Sequence, residues 1–351
     1  MTRQAAVARA VVLDGVTAWR HELAGCLHAC AATLLGAQGA RPLECLGAAW
    51  SFLHVPAELR REEYYYPCPP GRSLFAALAP YHPVSSRWHG APDAEQGWAD
   101  VRAAVAAGTP VAVAVDNFHL PFRPAYQDVH ANHLIVVYGF DDAAGTARVL
   151  DAVPPRYDGD LALEHLAAAR DSGNRSRHER DLFFADRPVG NRWLEARADP
   201  AAFPALDRDT VGDMIRRNLD GYADPAPLAA SGPVYAGLAG LAGFLDDACG
   251  RLADGGPIAD ELFVAAGAAL AGTAVHADWL ARAARCLECV ELAEAGRRVE
   301  RVAHHWTAVR IMAALSRYGE TSAPRLARRA AALLDDQRRA LTELDHVLAR
   351  L

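Results

Sequence analysis

Residues 132–151 read NHLIVVYGFDDAAGTARVLD, and this stretch decides the fold of the first half of the chain. A first apolar run at 134–138 is followed by the turn-forming letters DDAAG and by a second short apolar run at 147–150. Two such runs separated by a few turn residues predict an antiparallel β-hairpin. His133 opens the first strand, and Asp151 ends the second.

The length of the hairpin loop determines whether His133 and Asp151 share a face of the sheet. With a five-residue loop at 141–145, the register places Asp151 opposite Ile135. His133 is then its diagonal neighbour, with Cβ atoms about 5–8 Å apart, within reach of a carboxylate–imidazole hydrogen bond. A loop one residue longer or shorter would put the two side chains on opposite faces.

A cysteine stands just before the first helical pattern of the chain. Gly25 and Cys26 precede residues 27–35, whose apolar positions recur at helical spacing up to Gly36 or Gly39. A thiol at a helix N-terminus lies near free N–H groups and the positive end of the helix dipole, which favour the nucleophilic thiolate. The alternative interpretation is a small apolar residue buried at the helix start.

Cys26, His133 and Asp151 together form a candidate catalytic triad. The imidazole would take the thiol proton and form a thiolate–imidazolium pair, while the carboxylate would hold the ring in the correct tautomer. His119 and His130 lie shortly before His133, and either is an alternative base.

The chain as a whole is predicted as α+β with two domains. Residues 1–190 show mixed helix and strand patterns, including a helix at 95–107 and strands at 111–115 and 182–184. Residues 186–206 are rich in Pro and Gly and predict a linker.

Residues 205–351 are predicted as an all-α helical domain, because Ala, Leu and Arg recur there at helical spacing. The predicted helices cover 209–220, 233–253, 258–273, 275–297, 298–318 and 322–350. Arg-rich faces near 297–301 and 325–329 are predicted to be solvated, and they would also suit an acidic partner.

Composition limits the function classes. The net charge of −7 argues against nonspecific binding to nucleic acid. The chain has no Lys, which excludes a Schiff-base lysine and a P-loop lysine. It also lacks a membrane-spanning apolar run and a signal-peptide pattern, so we predict a cytoplasmic protein without membrane association. Seven cysteines, an odd number, do not predict a disulfide framework.

Neither a metal nor a cofactor is predicted. Cys286 and Cys289 form a C-x-x-C, and His304 and His305 follow, but no second C-x-x-C accompanies them. An amphipathic helix with buried thiols is the preferred interpretation. The aromatic, proline-rich loop around Tyr65 is predicted either to clamp a substrate or to pack on its domain.

Three blocks of sequence resemble the N-terminal domain family of butirosin biosynthesis protein H. They are the helix that begins at Cys26, the stretch 98–122 that ends in DNFHLPF, and HLIVVYGFDD at 133–142 followed by VLD at 149–151. The resemblance covers roughly residues 15–160 and implies a papain-like, or cysteine-peptidase-like, N-terminal domain. The helical tail resembles the α-helical region that often follows that domain.

The resemblance implies acyl transfer from a carrier-protein thioester onto a cysteine and then onto a small amine. By motif match, the nucleophile is Cys26, the base is His133 and the orienting acid is Asp151. The segment from Asp116 to Phe122 would line the substrate site by the same match. Its candidate substrate-binding side chains are Asp116, Phe118, His119 and Phe122.

One departure from the family pattern concerns the oxyanion hole. Family members often carry a polar residue beside the cysteine, where this chain has Gly25 and Leu27. Only the backbone N–H of Cys26 is therefore assigned to the oxyanion.

Two other functions remain open at this point. One is hydrolysis by the same triad, as a peptidase, amidase or thioesterase. The other is a catalytically inactive binding module. The helical domain could shape the acceptor pocket, bind a carrier or form a homodimer.

Overall fold

A computed structural model of the protein divides into two compact units. The residues that the structure describes are 9–56, 73–175, 188–225 and 234–351. Within them, the first unit comprises 9–20, 26–40, 85–175 and 188–198. The second unit comprises 21–25, 41–56, 73–84, 199–225 and 234–351. The two units therefore alternate along the sequence instead of meeting at one boundary between 190 and 205.

Both helices and strands occur along the described residues. The strands are β1 (Ala10–Val12), β2 (Leu53–His54), β3 (Val84–His89), β4 (Val111–Asp116), β5 (Asn132–Asp141), β6 (Thr146–Asp151), β7 (Tyr157–Ala162), β8 (Trp193–Ala198) and β9 (Tyr235–Ala236). The helices are α1 (Cys26–Ala37), α2 (Pro42–Ala48), α3 (Leu74–Leu78), α4 (Ala94–Ala106), α5 (Leu163–Arg170), α6 (Arg208–Ala223), α7 (Gly237–Ala253), α8 (Ala259–Leu287), α9 (Val290–Ser316) and α10 (Ala323–Leu348). The mixed α+β class with a helical C-terminal region agrees with the prediction.

The first unit is a sheet with helices packed on it. Its strand order is β3–β8–β4–β5–β6–β7, and β1 pairs with the second half of β5. Every residue of β4 is buried, as is nearly all of β5, and α1, α4 and α5 contact these central strands. The apolar runs of the sequence are thus strands that are covered by helices.

The predicted hairpin forms, but with a shorter loop. β5 and β6 pair from Asp141 and Thr146, so four residues form the loop instead of five. By itself this change would put the following side chains on the wrong face. A β-bulge in β5 just before Gly139 shifts the register by one residue and compensates for it. The register then leads to the predicted alignment, with Asp151 opposite Ile135.

The predicted linker at 186–206 contains a strand of the sheet. β8 lies between β3 and β4, and its residues Trp193, Leu194 and Ala196 are buried. The prediction of a linker was wrong. The Pro and Gly residues flank a buried strand of six residues, whose apolar pattern is too short to be recognised among them. The strand predicted at 182–184 lies outside the described residues.

The second unit is a helical assembly with one short two-stranded ribbon, β2–β9. Residues 41–56 belong to it because their apolar side chains enter the helical core. Trp50 is 2% exposed and stacks on His276, and its indole N–H donates to Thr273 at 3.2 Å. At Gly47 an added Cβ would lie 2.4 Å from Cβ of Trp279, so α2 packs closely on α8.

The long helices differ from those predicted. The predicted break after 273 is absent, since α8 continues to Leu287 with buried residues at helical spacing throughout. The chain turns instead at Glu288, which is left-handed with φ of 52°. The N–H of Cys289 donates to the carbonyl of Ala284 at 3.0 Å, which closes the helix in a Schellman-type end. No Gly marks this turn, so no local sequence pattern predicts it.

Among the described helices, α8 is the one whose length and hydropathy would suit a membrane span. However, 61% of the apolar window is buried inside the protein. This burial is typical of the central helix of a helical core.

Candidate functional site

Cys26 is the first residue of α1, where the sequence pattern predicted the helix to begin. Its side chain is partly exposed, whereas residues 27–35 of the helix are all buried. The first backbone N–H groups of an α-helix have no partner within the helix. The thiol therefore lies at the end of α1 that favours negative charge.

His133 and Asp151 form a direct hydrogen bond across the hairpin. Nε2 of His133 lies 2.8 Å from Oδ2 of Asp151. Both residues are buried, with 5% and 1% of their surface exposed. Because the bulge restores the register, the two side chains meet although the loop has an unexpected length.

The imidazole of His133 is also close enough to the thiol of Cys26 for the two side chains to interact. Since Nε2 is engaged by Asp151, Nδ1 is the ring nitrogen that is left for the sulfur. Burial alone would lower the pKa of His133. The charge of Asp151 and the hydrogen bonds to Asp151 and Cys26 oppose it and raise the pKa to about 9. His133 is therefore an imidazolium at neutral pH.

Asp151 is held by more than His133. Nη1 of Arg123 donates to Oδ2 of Asp151 at 3.1 Å, and the N–H of Val153 donates to Oδ1 at 2.9 Å. Burial would raise the pKa of Asp151. The charge and hydrogen bond of His133, together with Arg123 and the Val153 N–H, bring it below its usual value. Asp151 is thus a carboxylate at neutral pH. Sequence reasoning missed Arg123, because nothing in the sequence distinguishes it from a solvated arginine.

Asp116, predicted to bind substrate, is fully buried and bonded within the protein. Its carboxylate accepts hydrogen bonds from the backbone N–H groups of Phe118 and Ala131 and from the side chains of His130 and Ser172. These four donors account for the common acceptor positions of a carboxylate. The geometry therefore gives Asp116 a role in holding the chain between β4 and β5.

The aromatic residues after Asp116 pack on one another. The ring of Phe118 stacks on His130 with centroids 4.2 Å apart, and His119 contacts both rings edge-on. Phe122 stacks on Tyr157 at 4.1 Å. Binding of substrate by Phe118, His119 and Phe122 stays a prediction.

The remaining sequence candidates can also be located, apart from Tyr65, which lies outside the described residues. His130, the alternative base, is bonded to Asp116, while His133 is the histidine in contact with Cys26. Cys30 is 5% exposed, and burial, followed by the charges of Cys26 and Asp151, raises the pKa of its thiol. Cys30 is therefore a poor nucleophile at neutral pH.

The C-x-x-C does not lie within a helix as predicted. Cys286 is exposed at the end of α8, and Cys289 caps the start of α9, so neither thiol is deeply buried. His305 is engaged by Asp336, 3.0 Å from its Nε2. In the part of the chain that the structure describes, no group of three or more His, Cys, Asp or Glu side chains is arranged to hold a metal ion.

Cys26 thus lies beside the hydrogen-bonded His133–Asp151 pair, where a helix meets an antiparallel sheet. A thiolate beside an imidazolium whose second nitrogen is fixed by a carboxylate is suited to nucleophilic attack on a carbonyl carbon.

Comparison with known families gives a match for the segment that carries this site. Residues 25–152 match the family described as butirosin biosynthesis protein H, N-terminal. The matched segment includes Cys26, His133 and Asp151. The name of the family points to a biosynthetic enzyme. A search of curated proteins found none that matches the chain.

Proposed function

We propose that this protein is a cysteine-dependent acyltransferase of natural-product biosynthesis. It would move an acyl group from a carrier protein or another thioester to a small amine and form an amide. The observation that supports this most directly is the hydrogen-bonded His133–Asp151 pair beside the thiol of Cys26. The match to a family named after a biosynthetic protein supports the pathway context.

The first step would be acylation of the enzyme. The Cys26 thiolate attacks the thioester carbon, and the backbone N–H of Cys26 at the start of α1 is available to the oxyanion. When the tetrahedral intermediate collapses, the bond to the donor sulfur breaks. The departing thiol takes its proton from His133, and the acyl group remains on Cys26.

The second step would be transfer to the amine. The nitrogen attacks the acyl carbon, and the now neutral His133 takes the proton that the amine loses. The C–S bond to Cys26 breaks and leaves an amide and the thiolate. Asp151 keeps the imidazole oriented in both steps, because its carboxylate holds Nε2 throughout.

We also propose that the first unit has a papain-like fold. This proposal is supported by the combination of a nucleophilic Cys at the start of a helix with His and Asp on an antiparallel sheet. For the donor, a carrier protein would be acidic. The arginines Arg325, Arg328 and Arg329 of α10 are exposed and offer charge of the opposite sign.

The same triad would also serve a hydrolase, in which water replaces the amine. The acyl-enzyme is common to both reactions, so only the acceptor distinguishes them. A binding module without activity is disfavoured, because such a protein has no need for a buried His–Asp pair beside a partly exposed thiol.

Intact-protein mass spectrometry tests the proposal. The protein is incubated with an acyl thioester, first alone and then with a panel of small amines. We expect the mass of the acyl group to be added to the wild type and to be absent from Cys26→Ala. His133→Ala should prevent acylation, and Asp151→Asn should slow it, because the ring loses its orientation.

The products separate the alternatives. Amide formed only when an amine is present supports a transferase. Free acid formed at the same rate with and without amines would instead identify a hydrolase. Acylation of Cys30→Ala serves as the matched control and should equal that of the wild type. Acylation that persists in Cys26→Ala would exclude Cys26 as the nucleophile.

A further inference from the structure

We propose that Arg123 is a positioning residue that fixes Asp151 for its contact with His133, and that residues 117–131 form the loop that presents it. The inference rests on the proposed function insofar as Asp151 orients the catalytic base. It adds Arg123, which the sequence motifs did not assign to the site, and it extends the segment from Asp116 to Phe122 to a whole loop.

Arg123 contacts both the Asp151 carboxylate and the backbone beyond it. Its Nη1 donates to Oδ2 of Asp151 at 3.1 Å, and this is the same oxygen that accepts from His133 at 2.8 Å. Nη1 also lies 3.0 Å from the carbonyl of Val153 and 3.3 Å from that of Pro154. Arg123 therefore ties the Asp151 carboxylate to the backbone that follows it.

The ion pair between Arg123 and Asp151 is buried. The side chain of Arg123 is 10% exposed and that of Asp151 only 1%. A buried Arg–carboxylate pair differs from a surface pair, because removing one partner leaves the other charge without compensation. The contact is therefore suited to hold one geometry, whereas a solvated ion pair contributes little.

Hydrogen bonds close the base of the loop 117–131. Oδ1 of Asp116 accepts from the N–H groups of Phe118 and Ala131, both at 3.1 Å. The N–H of Asn117 donates to the carbonyl of Ala131 at 2.9 Å. The two ends of the loop are thereby joined at the ends of β4 and β5, next to His133.

The rest of the loop is closed by further bonds. Oδ2 of Asp116 accepts from Nδ1 of His130 and from Oγ of Ser172, each at 2.7 Å. The N–H of Arg123 donates to the carbonyl of Leu120 at 2.9 Å. A compact loop closed at its base in this way holds the residues at its tip in a defined position. Asp116 thus acts on the site through Arg123. Its place in the motif is therefore explained without direct contact with substrate.

A double-mutant cycle tests the inference. The rate at which iodoacetamide alkylates Cys26 is measured by peptide mass spectrometry in the wild type, Arg123→Gln, Asp151→Asn and the double variant. We expect Arg123→Gln to slow alkylation about tenfold, the effect typical of a hydrogen bond between charged groups. In the Asp151→Asn background, Arg123→Gln should slow the alkylation of Cys26 by less than about twofold, because Arg123 would act through Asp151.

Two further variants control the experiment. Arg123→Lys keeps a cation and should recover part of the rate. Arg102→Gln removes another arginine–aspartate pair of the first unit, the one with Asp142, and should leave the rate unchanged. If Arg123→Gln fails to fold, the cycle is run with Arg123→Lys, whose smaller loss should likewise vanish in Asp151→Asn.

Two outcomes would overturn the inference. One is an unchanged alkylation rate in Arg123→Gln, and the other is a full additional loss in the double variant. Alkylation needs no acyl donor, so the result is independent of acyl transfer. Coupling between Arg123 and Asp151 without any transferase activity would reject the proposed function and leave the positioning role intact.

Discussion

His133 is the residue in which the forces at the site oppose each other most clearly. Burial disfavours the imidazolium, while the Asp151 carboxylate and the Cys26 thiol favour it. The paired charges prevail, so the ring keeps its proton well above the pH at which a free histidine loses it. The consequence is a pH dependence that belongs to this single side chain.

The free energy of unfolding should therefore fall as the pH rises from about 6.5 to about 9. Folded His133 retains its proton through this range, because its pKa is raised to about 9 from 6.5, whereas the unfolded chain has already released it. Fewer protons bound in the unfolded state mean that stability decreases with pH. The stability that His133 contributes is fully present below pH 6.5 and is lost as the pH rises through about 9. Denaturant unfolding at several pH values measures it.

His133→Gln is the control for this prediction. Glutamine keeps a polar side chain but does not titrate, so the slope between these pH values should become shallower. Equal slopes in the wild type and in the variant would contradict the assignment of the raised pKa to His133.

At the scale of elements, the β5–β6 hairpin carries two of the three residues of the candidate triad. Its existence followed from the alternation of apolar runs and turn residues in the sequence. The four-residue loop and the β-bulge did not, because each changes the register by one and only backbone packing sets them. The predicted and observed positions of Asp151 agree because the two differences cancel.

Gly139, directly after the bulge, should not tolerate a side chain. A Cβ there would lie 2.7 Å from the carbonyl oxygen of Val11 and 2.9 Å from Cβ of Arg148. We expect Gly139→Ala to cost about 1–3 kcal/mol of stability, as overpacking usually does. The strain falls on β1 and β6, so alkylation of Cys26 should also slow as the hairpin shifts. Thermal unfolding and the alkylation rate measure the two effects.

Gly90→Ala is the matched control within the same unit. The nearest atoms to a Cβ at Gly90 lie 3.9 and 4.0 Å away, an ordinary contact distance. This variant should unfold and react like the wild type. A Gly139→Ala protein with unchanged stability would show that β1 adjusts freely and that the bulge is not tightly packed.

At the scale of the whole molecule, the two units alternate along the chain. Residues 41–56 bury Ala48, Trp50 and Phe52 in the core of the unit that consists mainly of the helices after residue 199. A boundary between 190 and 205 therefore follows the change in composition but leaves part of the helical core on the other side.

A fragment of residues 205–351 should not fold cooperatively on its own. It lacks Trp50, whose backbone N–H donates to Oδ1 of Asn218 at 3.0 Å and whose indole ring stacks on His276. Loss of a buried Trp side chain alone costs about 3–5 kcal/mol, a large part of the stability of a domain. Circular dichroism and binding of a hydrophobic dye during denaturation measure the outcome. A sharp transition without dye binding would show that the helices suffice.

The α+β class, the helix that begins at Cys26, the hairpin and the candidate triad could all be predicted from the sequence alone. These features depend on local periodicity and on the chemistry of single side chains. The tertiary structure decided the register through the bulge, the place of β8 in the sheet and the arginine that holds Asp151. It also decided which residues join the helical core. Each of these depends on contacts between residues far apart in the chain, which a local pattern does not contain.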